Sequence, residues 1–91
     1  MNKKITIQNN AGKLAYCILS GEQNLEDQFN QFYYGSPNPQ HGTCVRFDGA
    51  EVAVVDYYHN ETIASLKVVS IQDTDQTPVY AWISLENESC N

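Results

Sequence analysis

The chain of 91 residues is short of positive charge: five lysines and arginines face eleven aspartates and glutamates, a net charge of −6. A nucleic-acid or anionic-membrane surface needs a basic stripe, so neither is expected as a direct partner. Long apolar runs are also missing. Met1 to Gln8 lack the apolar core of an export signal, and no stretch approaches the length of a membrane span. Cysteines number three, at Cys17, Cys44 and Cys90, an odd count without a close pair. A reducing, cytoplasmic setting is therefore expected.

Chemical signatures are sparse too. Two histidines and three scattered cysteines give no CxxC or HxxxH spacing for zinc. Asp73-Thr74-Asp75 lacks the glycine and distal glutamate of a calcium loop. No glycine-rich phosphate loop occurs. His41 and Cys44 lie three apart on an extended segment, which sends them to opposite faces, and no third residue orients them. The expected catalytic and metal sets are empty, no cofactor is expected, and the protein is read as a non-enzyme.

What is present reads as strands around one helix. Asp48-Gly49 between Cys44-Val45-Arg46-Phe47 and Ala50 to Val55 is a strong hairpin signal. A two-residue turn would set Phe47 opposite Ala50 and Arg46 opposite Glu51, a cross-strand charge pair. Phe47, Val45, Val52 and Val54 then share one face, and Cys44, Ala53, Val55 and Tyr57 the other. Ile5 and Ile7 alternate with polar neighbours, Asn9 to Gly12 is turn chemistry, and Lys13 to Leu19 is a second strand. Thr62 to Ile71 and Val79 to Leu85 are two more. Pro78 stands where a missing donor is tolerated.

Between them the period changes. Leu25, Phe29, Phe32 and Tyr33 fall on one side of a helix over 25–34, with Asn24 as N-cap, Glu26 and Asp27 in its first turn and Gly35 beyond its end. This aromatic stripe is read as core. The order is ββαββββ: a single α+β domain over 1–91, an antiparallel sheet of five or six strands with one short helix, and a frayed tail at 86–91.

Function must then come from surfaces. The loop 36–42, stiffened by Pro37 and Pro39, joins the helix to the central hairpin and is the most individual loop of the chain. With neighbouring aromatics it gives the expected binding residues: Tyr33, Tyr34, Pro37, Asn38, Pro39, His41, Arg46, Tyr57, Tyr58 and Trp82. The leading expectation is a small acidic inhibitor or regulator acting by protein–protein contact, with Glu22, Glu26, Asp27, Asp56, Glu61, Asp73 and Asp75 as its charged surface. In size and acidity the chain is similar in type to small phage-borne inhibitors of host enzymes, although no motif carries that likeness. The alternative is a homo-oligomer holding a small phosphate- or carboxylate-bearing ligand at subunit boundaries, with Arg46, the lone arginine, on the anion. Both faces of the sheet look apolar, and one helix covers part of one face. A homodimer or higher oligomer joined through the second face, with Trp82 and Tyr57 in the seam, is expected.

Overall fold

A computed structural model of the chain describes residues 1–34, 42–56 and 58–85, with the backbone alone at 33 and 34. Its elements are β1 (Asn2–Gln8), β2 (Leu14–Leu19), α1 (Leu25–Tyr34), β3 (Thr43–Phe47), β4 (Glu51–Asp56), β5 (Glu61–Thr74) and β6 (Val79–Ser84). All six strands form one antiparallel sheet in the order β3-β4-β5-β1-β2-β6. The α+β class, the ββαββββ order and the helix limits agree with the sequence reading. The expected Gly35 cap and the 86–91 tail lie outside the described residues.

The helix begins where its cap dictates. Asn24 Oδ1 accepts the Asp27 N–H at 2.9 Å, and Glu26 and Asp27 sit at the positive end of the helix dipole. The stripe then turns inward. Phe29 is fully buried, and Leu25 and Phe32 pack against a core of Ile5, Ile7, Cys17, Leu19, Val45 and Val52.

The central hairpin forms with a register two residues from the expected one. Phe47 opposes Val52, Val45 opposes Val54, and Arg46 opposes Ala53 rather than Glu51. Of the two turn residues only Gly49 adopts positive φ, at 92°, whereas a type I′ turn needs two. Asp48 instead accepts the Ala50 and Glu51 N–H groups at 2.9 and 3.0 Å, which opens the turn into a longer loop. A shift of two preserves the faces, so Val45, Phe47, Val52 and Val54 still meet the core.

The sheet is curled. Phe47 and Trp82 lie on β3 and β6, its two edge strands, which would stand about 24 Å apart in a flat six-stranded sheet. Yet the ring of Phe29 lies 5.2 Å from that of Phe47 and 5.8 Å from that of Trp82. Helix α1 therefore fills the mouth of a half-barrel. Trp82, expected on the face away from the helix, stacks on Phe29 and tilts against Phe32 at 5.5 Å. Tyr80 shares its side and reaches Gln28 through its hydroxyl at 3.4 Å. Alternation was right within β6, but the core claimed the aromatic set because Trp82 has the area to fill a curled interior.

The second face is consequently polar through its middle. Register places Lys4, Thr6, Tyr16, Ser65, Lys67, Ser70 and Gln72 there, with Lys4 4.4 Å from the centre of the Tyr16 ring. Of its apolar members, Ile18, Ala53 and Val55 are already buried within the single chain, whereas Leu14, Val79 and Ile83 are half-buried and Ala81 is exposed at the β2–β6 end.

Candidate functional site

The turn between β4 and β5 is built around one carboxylate. Asp56 Oδ1 accepts the Tyr58 and His59 N–H groups at 3.0 and 3.2 Å, and Asp56 Oδ2 lies 2.8 Å from His59 Nδ1. These bonds, the side-chain contact with His59 first and its backbone N–H next, hold the Asp56 carboxyl below the usual carboxylate range. Asn60 takes positive φ, 55°, as a short polar side chain can, and returns the chain to β5. Tyr58 is left 79% exposed at the tip.

A glycine sets the other side of this turn. Gly42 has φ of 78°, and a Cβ there would stand 2.6 Å from Cδ2 of Tyr58. The Tyr58 ring thus lies against bare backbone, with a shelf beneath it that another residue would fill.

Beside it, β5 carries an irregularity. Val54 opposes Ala64 and Val55 opposes Thr62, so Ile63 is the extra residue of a bulge and is 60% exposed. Asp56 and Glu61 oppose one another directly across the same strand pair. The Asp56 carboxylate is turned onto residues 58 and 59, and Glu61 is exposed at the other end of the turn. Tyr58 is thus exposed on a turn with an acid at each end, and Ile63 is exposed two residues beyond Glu61.

The expected binding residues separate. Pro37, Asn38, Pro39, His41 and Tyr57 lie outside the described residues, as do the side chains of Tyr33 and Tyr34. Trp82 belongs to the core. Tyr58 is at the turn just described. Arg46 stands near the opposite end of the hairpin, exposed, in a cleft of about 360 Å³ lined also by Glu26, Asp48, Glu51, Val55 and Thr62. Three carboxylates around one guanidinium work against the phosphate or carboxylate role considered for Arg46. Glu26 is held there by accepting the Phe47 N–H at 2.9 Å.

Other reactive side chains are accounted for. Burial pushes the Cys17 thiol up to about 12, so it remains protonated and inert. Cys44, half-buried, faces Val55 across the hairpin. Among the described residues no three His, Cys, Asp or Glu side chains gather to hold a metal ion, and no helix is long and apolar enough to cross a membrane.

Ile63 was not among the expected site residues. Its apolar side chain belonged to a run read as strand, and a bulge leaves no mark in periodicity. Fold and site together define a small α+β protein with a curled sheet and an acid-framed aromatic turn. Comparison with family models, with curated proteins and with solved structures finds no match.

Proposed function

We propose that this is a non-catalytic binding protein that docks on a basic protein surface through the β4–β5 turn and acts there as an inhibitor or regulator. The observation that carries this reading is Tyr58, 79% exposed on a turn whose two ends are the opposed acids Asp56 and Glu61, with Ile63, 60% exposed, two residues further along β5. Tyrosine on a pre-ordered turn is a favoured interface anchor because it buries much area while little freedom is lost on binding. The acids choose the partner. An arginine or lysine approaching Tyr58 is attracted by the acids at the two ends of the turn and can stack on the ring. The net charge of −6 adds long-range attraction to such a partner.

The test is capture from a cell lysate on immobilised protein, with wild type and Tyr58→Ala side by side. A partner that is basic, is released steeply by salt and is missing from the Tyr58→Ala lane supports the reading. Equal capture by both proteins would place the docking surface elsewhere.

A further inference from the structure

Helix α1 is held to the two edges of the sheet by different means. Towards β3 its side chains bond backbone, Asn30 at Val45 and Glu26 at Phe47. Towards β6 it meets a ring instead, with Phe29 and Phe32 against Trp82. Near Tyr80, two residues before Trp82, lies a cleft of about 380 Å³, lined among the described residues by Gln23, Gln31, Phe32 and Tyr80.

Buried Gln28 sets the walls of this cleft. Its amide nitrogen donates to the Gln23 carbonyl at 3.3 Å, and its oxygen accepts the Tyr80 hydroxyl at 3.4 Å. Both backbone groups of Ser20 hold Gln28 in turn. Tyr80 is therefore anchored at its hydroxyl yet 50% exposed. Gln23 and Gln31 are exposed, and among the described residues neither side-chain amide makes a hydrogen bond.

The chemistry of the lining narrows the ligand. None of the four side chains is charged, whereas Glu26, Arg46, Asp48 and Glu51 all line the other cleft. A net charge of −6 disfavours a phosphate or carboxylate, and no acid lines the cleft to fix a cation. A neutral ligand remains, with one face for an aromatic ring and hydrogen-bonding groups at its rim. Each primary amide offers two donors and an acceptor oxygen, which suits adjacent hydroxyls that donate and accept at once. A flat nucleobase gains most where side chains enclose it, and this cleft leaves Tyr80 and both amides open to water. A pyranose suits such a site. Its C–H face can lie on an aromatic ring while its outer hydroxyls stay solvated.

We propose that the α1–β6 cleft binds a neutral pyranose ring, stacked on Tyr80 and hydrogen-bonded by Gln23 and Gln31. The site is at the β6 edge, apart from the β4–β5 turn, and stands or falls independently of the docking partner.

Titration of isotope-labelled protein, followed by amide NMR, tests it. The probes are the methyl glycosides of glucose, galactose, mannose and N-acetylglucosamine, with sorbitol, uridine and adenosine as controls. At least one glycoside at millimolar concentration is expected to move the side-chain amide signals of Gln23 and Gln31 and the backbone signals of Phe32 and Tyr80. Gln31→Ala is expected to weaken binding about tenfold, the loss of one hydrogen-bonded amide, with an unchanged melting curve. Tyr80→Ala is expected to abolish it, and Tyr58→Ala to leave it unchanged. No shift with any glycoside, equal shifts with sorbitol or a nucleoside, or shifts that persist undiminished in folded Gln31→Ala or Tyr80→Ala would each overturn the proposal.

Discussion

Asn30 holds Val45 by both of its backbone groups: the side-chain oxygen accepts the Val45 N–H at 2.9 Å, and the amide nitrogen donates to the Val45 carbonyl at 3.0 Å. The same device recurs at Gln28, whose amide takes the N–H and carbonyl of Ser20, each at 2.8 Å. Two buried amides on one helix thus tie it to the edge strand β3 on one side and to the end of β2 on the other. Edge strands invite pairing with other chains unless something covers them. In this protein the cover on β3 is the Asn30 amide at Val45 and the Glu26 carboxylate at Phe47, and it also ties the helix to that edge.

Asn30→Ala should cost about 1–3 kcal/mol, the usual penalty for leaving buried partners unpaired. Urea unfolding reads this as a lower midpoint with little change in slope. Asn30→Asp should be at least as costly, because a carboxylate would face the Val45 carbonyl where the amide now donates.

Phe29→Ala should cost about 3–5 kcal/mol, since Phe29 bridges Phe47 and Trp82 across the two sheet edges. Trp82 is the lone tryptophan, so its emission reports on the same contact. The variant's native emission should shift to the red as the helix loosens. Trp82→Ala should destabilise the fold itself, not an assembly, and thermal melting of the monomer separates the two.

How much of this could be read in advance follows from which signals are local. The helix was legible because Asn24, the first-turn acids and the Leu25-Phe29-Phe32 spacing all lie within a few residues of one another. The strands were legible by alternation. Curling was not, because it depends on Phe29 meeting residues from strands far apart in sequence, and so Trp82 was assigned to the wrong side. Bulges hid Ile63 and Val69 within an ordinary strand pattern. Of the expected site, Tyr58 could be picked out as an aromatic near a turn, while its frame of Asp56 against Glu61 required the register.

Acid should weaken the fold below about pH 4. Asp48, Asp56 and Asp73 are held below their ordinary value of 3.8, chiefly by the Ala50 N–H, by His59 and by Lys3 respectively. A carboxylate depressed in the folded state contributes stability that is present above its unfolded value and is lost as pH falls through the folded one. Urea midpoints should therefore be level above pH 5 and drop below pH 4, and Asp48→Asn should flatten the drop.

Alkali should act through Cys17 with the opposite sign. Its thiol is raised from 9.0 to about 12 by burial, so the unfolded chain loses the proton first and stability falls as pH rises through that window. In the folded protein at pH 8, Cys17 should resist alkylation that modifies it promptly in urea. Mass spectrometry of the Cys17 peptide checks this.

The most direct test of a curled sheet sealed by its helix is amide hydrogen exchange at Val45 and Phe47, read residue by residue. Both N–H groups point out of the edge strand, where an open sheet would leave them to water, yet here they are bonded to Asn30 and Glu26 at 2.9 Å. The sealed fold requires them to exchange as slowly as the amides of the central strands β1 and β5, and requires Asn30→Ala to release Val45. Fast exchange at both positions in the wild-type protein would show that the helix does not close the edge.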